Sequence, residues 1–393
     1  MFKLAGILFA CLALCLAGCT TVPPENAPVE SAPQPTLVTN IVSHVVTNIV
    51  VKVVVKPRVL PPAKVTPPPV VNQVTNPNPP VIQFNPPPPV VSKPMLTWTS
   101  LNQWAVKHGL TPPQRLAGTA VVRYAVGSPL GVMIVVIGSR DATWNGVLIH
   151  LAFAPEFIDD QVFVHGLDLE KTIVPLLSEK PSAPPANRVI VIDPGHGGAQ
   201  PGALNVLPNG PPEKMLTLDW ARRLAPLLEA KGWHVILTRT NDSDIAVSNR
   251  VTFADAHHAG LFISLHFNSY PPDPKQAGLE TYCLTPTGMP STITRNYPDL
   301  TWQNFPANVF DTESLLLAVR LHKAILRATG EEDRGVRRAR FLGILRGQHC
   351  PCVLIEGGYI SNPHEAQEIE NGEYRQKLAE AVAGAINASE LSK

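Results

Sequence analysis

The chain has 393 residues, with 32 Lys and Arg against 31 Asp and Glu, for a formal net charge of +1. That length accommodates two or three domains. Near-neutral charge gives no global electrostatic case for binding nucleic acid or an anionic membrane surface. Of the 42 prolines, 19 fall between Pro23 and Pro94, so much of the N-terminal region is expected to be non-globular.

In chain order, the first segment is MFKLAGILFACLALCLAGCT. Lys3, an apolar run and small residues ahead of Cys19 have the layout of a secretory signal peptide, and the run is short for a spanning helix. Leu16-Ala17-Gly18-Cys19 resembles the bacterial lipobox, which implies a signal at 1–19 and lipidation of Cys19. Lipid chains there would anchor the protein to a membrane by their buried methylenes. Thr20 stands where an Asp would oppose outer-membrane sorting, so the outer membrane is the expected location in a diderm organism.

Residues 20–93 read as a Pro-rich tether with VTN repeated at 38–40, 46–48 and 74–76. Extended at ~3.1 Å per residue, such a tether reaches on the order of 200 Å. The stretch LVTNIVSHVVTNIVVKVVVK is rich in β-branched residues and also has the composition to pair as strands.

Residues 94–180 read as a small, separate α+β accessory domain. LTWTSLNQWAVKHGL has helical spacing, VVRYAVGSPLGVMIVVIGS and VLIHLAF read as strands around turns, and Asn145-Gly146 marks a hairpin. This region faintly resembles copper amine oxidase N-terminal-like modules, without implying copper chemistry; His150 and His165 read as ordinary strand residues. A second linker is expected at 178–187.

From Arg188 onward the pattern changes to strands alternating with helices, which predicts an α/β domain over 181–393, a mostly parallel central sheet flanked by helices. RVIVID, WHVILTR, LFISLHFN, LETYCL, FLGILR and CVLIEGGYI read as strands. MLTLDWARRLAPLLEAKG, AVSNRVTFADAHHAG, SLLLAVRLHKAILRATG and a segment near 374–388 read as helices. Cys283, Cys350 and Cys352 make no disulfide framework, and Cys352 opens an apolar run as a buried thiol would.

Ligand chemistry in open α/β sheets gathers at the carboxyl ends of strands. His196 follows the first strand, His266 and Glu356 close two others, and Glu213 sits in the first turn of a helix behind Pro211-Pro212. Two imidazoles and a carboxylate with a fourth position open suit catalytic zinc, and a further glutamate then has the task of moving protons. Taken singly, each of these residues also has a structural reading.

Together IDPGHGG, Glu213, FISLHFN and VLIEGGYISNPHE resemble the zinc-dependent N-acetylmuramoyl-L-alanine amidases, and the likeness runs from about residue 188 to 388. TRTND, the Arg250 region, GLETY and DRGVRRARFLGILR extend it. The resemblance implies one Zn2+ held by His196, Glu213 and His266, with Glu356 as the catalytic glutamate. It also implies a peptidoglycan substrate cut between N-acetylmuramic acid and L-alanine, outside the cytoplasm. Asp193 is expected to orient His196 or fix its loop. Asn268 is expected to contact the glycan or make a turn. Arg346 is expected to hold a substrate carboxylate or the carbonyl oxygen, or else to form a surface salt bridge. Some family members carry an inhibitory helix between the fourth strand and the next helix; Pro298 and Pro306 argue against a long one here, and Trp302, Phe305 and Phe310 would line a groove or pack the loop. A protein activator is left open. The rival readings are a peptidoglycan-binding module without catalysis and a zinc peptidase acting on stem peptides.

Overall fold

The structure, a computed structural model, describes residues 98–118, 121–178, 185–293 and 298–386, and the backbone of 45–46 and 49–50. The expected signal segment, Cys19 and nearly all of the tether lie outside the described residues. Within the tether, β1 (Val45–Val46) and β2 (Ile49–Val50) pair antiparallel, as the β-branched composition allows.

The following segment carries β3 (Trp98–Ser100), α1 (Leu101–Lys107), β4 (Gln114–Arg115), β5 (Arg123–Ser128), β6 (Gly131–Val136), β7 (Asp141–Trp144), β8 (Val147–His150), β9 (Glu156–Ile158) and β10 (Gln161–His165). A helical run then passes through α2 (Gly166–Asp168), a π turn at Leu169–Ile173 and α3 (Val174–Ser178). Ser100 caps α1 by accepting from the Gln103 N–H, 3.3 Å. Asn145 (φ 49°) and Gly146 (φ 84°) adopt the paired left-handed conformation that joins β7 to β8 in a two-residue turn.

The next part comprises β11 (Val189–Pro194), α4 (Glu213–Glu229), β12 (His234–Leu237), α5 (Val247–Ala256), β13 (Leu261–Asn268), β14 (Leu279–Cys283), α6 (Asp311–Thr329), β15 (Asp333–Arg338), α7 (Gly343–Arg346), β16 (Cys352–Tyr359), α8 (Pro363–Glu370) and α9 (Gly372–Ile386). β12, β11, β13 and β16 run parallel; β14 is antiparallel to β16, and β15 is parallel to β14. The sheet is therefore mixed. It has eleven strands in the order β12-β11-β13-β16-β14-β15-β8-β7-β6-β5-β4.

Two expectations are corrected. The segment at 94–180 is not separate: β8 pairs parallel with β15 through Ile149 and Val336, and Leu101, Met133, Ile149 and Ile173 share one apolar cluster with Ile190, Ile263 and Val353. The physical reason is edge protection, since β15 would otherwise present unpaired backbone groups. FLGILR is not a strand. Its second half is α7, because the Leu345 and Arg346 N–H groups both turn back to the Leu342 carbonyl. The helix expected near 374–388 is present as α9, and α8 precedes it, with Asn362 capping α8 through the His364 and Glu365 N–H groups.

Central strands are buried on both faces, so they read as nearly continuous apolar runs. Ile190, Ile192, Ile263, Leu265, Val353 and Ile355 meet Leu224, Leu321 and Leu378 of α4, α6 and α9 on one face. Val191, Phe262, Cys352 and Leu354 meet Ala254, Ile344 and Leu345 on the other. Each fully buried aliphatic side chain contributes roughly 1.5–3 kcal/mol. The three cysteines of the described residues are free and buried.

Asp168 braces the segment that precedes the α/β part. It is fully buried and accepts from the Ala152 and Phe153 N–H groups at 2.9 and 2.8 Å. Burial pushes its carboxyl from an ordinary value of 3.8 up to about 6, against the two N–H groups and the nearby Arg338 and Arg140. A folded-state value raised above the unfolded one means stability present below pH 3.8 and lost as pH rises through about 6. In urea unfolding, the wild type is expected to weaken relative to Asp168→Asn by on the order of 2–3 kcal/mol between pH 4 and pH 8. The pH-independent effect of replacing an acceptor cancels in that comparison. A difference that stays constant with pH refutes it.

Candidate metal centre

Along the second face of the sheet, alternate residues change from apolar to polar toward the strand ends. Val191 is followed by Asp193, Phe262 by Ser264 and His266, and Leu354 by Glu356. The register sets His266 beside Glu356 and Glu356 beside Glu280 in one row across β13, β16 and β14.

Past β11 the chain makes a tight loop in which His196 has φ 63°, a left-handed conformation uncommon for a residue with a side chain. The loop fits only because of its glycines. A Cβ at Gly195 would collide with the His266 ring, and one at Gly202 (φ 73°) would meet Glu213 Oε2 and the His196 ring.

Glu213 opens α4, its N–H bonded to the Ala203 carbonyl, and its carboxylate is buried between the two imidazoles. His196 Nε2 lies 3.1 Å from Oε2 and His266 Nδ1 lies 2.9 Å from Oε1. The Ala203 N–H donates to Oε2 at 2.7 Å and the Phe267 N–H to Oε1 at 3.1 Å. The rings stand edge to face, centroids 4.9 Å apart. Burial works to raise the Glu213 carboxyl, but the two imidazoles outweigh it and hold it well below the usual carboxylate range. Conversely, burial works against charge on His196, and Glu213 more than offsets it. One donor atom from each of the three residues lies within 4.8 Å of the others, the arrangement of a candidate metal site. Two imidazoles and one carboxylate are a donor set suited to zinc with a position left open. The residues therefore fit the ion that the sequence implies.

Glu356 is 5% exposed, and its Oε2 has no hydrogen-bond partner among the described residues. Burial first, then the charges of Glu213 and Glu280, push its carboxyl well above the usual range. An unpartnered buried carboxyl oxygen is costly, and it marks a group kept for something other than packing.

Of the other expected residues, Asp193 fixes the loop. Its carboxylate accepts from Arg250 (2.6 Å), Thr238 (2.6 Å) and Ser264 (2.8 Å), and Arg250 donates onward to the Pro194 (2.9 Å) and His196 (2.6 Å) carbonyls. Asp193 thus supports the backbone of His196 through Arg250. Asn268 donates to Glu280 at 3.0 Å and accepts from the Ser269 N–H at 2.8 Å, within the turn that follows β13. Arg346, on α7, lies over the Phe305 ring at 5.3 Å, as Arg340 does at 5.5 Å, so it packs the 285–310 loop. Phe305 is buried and Trp302 is 74% exposed, while a short 3-10 turn at Pro306–Phe310 leads into α6. Among the described residues of that loop there is no long helix, as Pro298 and Pro306 suggested.

Sequence reasoning assigned no role to Glu280, Arg250 or Ser264. Glu280 is 3% exposed and gathers Asn268, Tyr282, Tyr359, Arg334 and Arg337. Its signal was a carboxylate at an inward position of the apolar strand LETYC.

Fold and site define an α/β domain, a mixed sheet flanked by helices, with a candidate metal centre at the strand ends. The profile of the N-acetylmuramoyl-L-alanine amidase family matches residues 190–388. The chain is 30% identical over 220 residues to the N-acetylmuramoyl-L-alanine amidase AmiA of Escherichia coli (strain K12), covering 51% of this chain and 75% of that protein. It is 31% identical over 207 residues to the N-acetylmuramoyl-L-alanine amidase CwlM of Bacillus licheniformis, covering 52% and 70%. The solved catalytic domain of CwlV, an N-acetylmuramoyl-L-alanine amidase from Bacillus (Paenibacillus) polymyxa var. colistinus, aligns at 29% identity over 52% of this chain and 99% of that one, with a TM-score of 0.42. The chain belongs to the N-acetylmuramoyl-L-alanine amidase family, a family of hydrolytic enzymes.

The Asp193–Arg250 pair gives a direct test of the loop's support. Both side chains are at most 5% exposed, so removing one leaves the other charged and uncompensated. Asp193→Ala is expected to lower unfolding free energy by about 3–5 kcal/mol in denaturant titration. A loss below about 1 kcal/mol would show that the pair does not support the loop.

Proposed function

We propose that this protein is a zinc-dependent amidase of peptidoglycan that cuts the amide between the lactyl group of N-acetylmuramic acid and the first L-alanine of the stem peptide. The observation that carries the reading is the convergence of His196, Glu213 and His266 within 4.8 Å, beside a Glu356 carboxyl with one unpartnered oxygen. Family membership supplies the bond.

His196, Glu213 and His266 would hold the zinc. The bound ion supplies Lewis acidity toward the amide carbonyl and makes water a nucleophile near neutral pH. The protein does the rest. Glu356 accepts a proton from the attacking water and delivers it to the departing L-alanine nitrogen as the C–N bond breaks, leaving a lactyl carboxylate and a free amine. Burial favours this traffic, because a carboxyl held near protonation returns its proton readily. Arg250 and Asp193 keep His196 in its left-handed conformation, so the imidazole is presented without rearrangement.

The lipobox-like Cys19 and the Pro-rich tether support an extracytoplasmic, lipid-anchored enzyme reaching the wall from a membrane, for remodelling or daughter-cell separation. No described helix is long and apolar enough to cross a membrane.

The full chain is the material for the test, because β8 pairs with β15 across the expected linker. Wild type with zinc is expected to release peptides bearing a free L-alanine amine from purified peptidoglycan, identified by mass. Glu356→Gln should retain zinc by elemental analysis and lose roughly 10²–10⁴-fold in rate. His266→Ala should lose both zinc and activity. Peptides cut elsewhere would replace this reading with the peptidase; retention of peptidoglycan without release would replace it with the binding module.

A further inference from the structure

Beyond Glu356, the same face of the sheet carries two guanidinium groups with spare donors. Arg334 Nε donates to Glu280 Oε1 at 3.0 Å, and Arg337 Nε lies 3.1 Å from the same oxygen as a charge contact without hydrogen-bond alignment. The Arg334 guanidinium also lies over the Tyr359 ring at 4.9 Å. Neither side chain spends its terminal amino groups on a protein partner among the described residues. Both remain partly open to solvent, with 22% and 18% of the side chain exposed. By contrast Arg140, close to Arg337, commits its fork to the Leu151 and Ser291 carbonyls at 2.8 and 3.1 Å.

Position decides what these forks face. Arg337 pairs with Tyr282, two residues along β14 from Glu280, and Glu280 pairs with Glu356. All four therefore share the face that carries the candidate metal centre. The bulge in β15 between the partners of Leu279 and Thr281 brings Arg334 opposite Glu280 as well. Two inter-strand steps of ~4.8 Å separate β16 from β15, so the backbone that carries the forks stands on the order of 10 Å from that of Glu356. An extended peptide covers that distance in about three residues at ~3.3–3.6 Å each.

We propose that Arg334 and Arg337, aligned by Glu280, form a carboxylate-binding shelf that engages an acidic group two or three residues beyond the scissile amide on the departing stem peptide. This rests on the amidase reading above and adds a specificity determinant to it. The recognition is charge-assisted and planar, which suits guanidinium forks better than lysines. Arg334 and Arg337 are positioning residues; they take no part in proton transfer.

The test uses the full chain with zinc and two soluble muropeptides, one with the carboxylates beyond the first alanine free and one with them amidated. For wild type, amidation is expected to raise KM roughly tenfold with kcat changed less than about twofold. Arg337→Gln is expected to raise KM for the free acid by a similar factor and to abolish the difference between the two muropeptides. Arg337→Lys should recover part of that difference. Equal KM values for both muropeptides with wild type would overturn the shelf, and so would a variant that discriminates as wild type does. Should Arg337→Gln fail to fold, the wild-type comparison decides alone. Failure of wild type to cleave either muropeptide would overturn the amidase reading itself, and the shelf with it.

Discussion

A single buried carboxylate organises the site. Glu213 sits buried at the start of α4, and each of its oxygens meets one imidazole and one backbone N–H. A charge in that environment persists only if every lone pair is answered. The answer draws on three separate pieces of chain: the loop after β11 for His196, the Ala203 turn, and the end of β13 for His266 and the Phe267 N–H. Those pieces must arrive together, which is why the loop is built from glycines at the points where side chains would collide. That convergence also leaves three donor atoms close enough to share one cation.

Support beneath the site is also electrostatic. Asp193 and Arg250 are both buried and answer each other, and Arg250 extends to two carbonyls of the His196 loop. Arg239 adds bonds to the Pro194 and Gly195 carbonyls at 3.0 and 2.9 Å. A left-handed histidine is a strained choice by roughly 1–3 kcal/mol, and it persists where neighbours over-determine it. Here two guanidiniums grip the backbone on either side of it. The strain fixes where the imidazole points, so the geometry is set before any ligand binds.

Much of this was legible in the residues themselves. His196 follows a strand and His266 and Glu356 close two others in the primary pattern, and Glu213 follows a Pro-Pro pair that starts a helix, so strand-end logic gathered all four. Asp193 was recognised as a support, although the pattern could not tell ring from backbone as its target. Arg346 misled, because FLGILR has the composition of a strand while its backbone turns back on Leu342. Glu280 showed only as a carboxylate inside the apolar strand LETYC, and Arg250 had no local signature: their importance comes from cross-strand register and from a helix packing over a loop, which no single stretch of sequence contains. The mixed sheet was hidden for the same reason, since strand direction is set by the connections and not by the apolar run.

The largest departure is the union of the two segments, and it bears on function. An isolated β15 would be an edge strand presenting Arg334, Arg337 and unpaired backbone groups to solvent. β8 removes that edge, Leu148 donates its N–H to Asp333 at 2.8 Å, and His150 Nε2 lies 2.9 Å from the Arg334 carbonyl. His150 belongs to the face that carries Glu356, since Ile149 pairs with Val336 on the opposite one. Its other ring nitrogen lies 2.9 Å from Asp141 of β7, so polar contacts on the site's face continue past β15 into the accessory strands. The segment at 94–180 thus fixes the backbone from which the two guanidiniums project. An accessory region of this kind acts by holding a strand, and the chemistry at the strand ends inherits its precision from that hold.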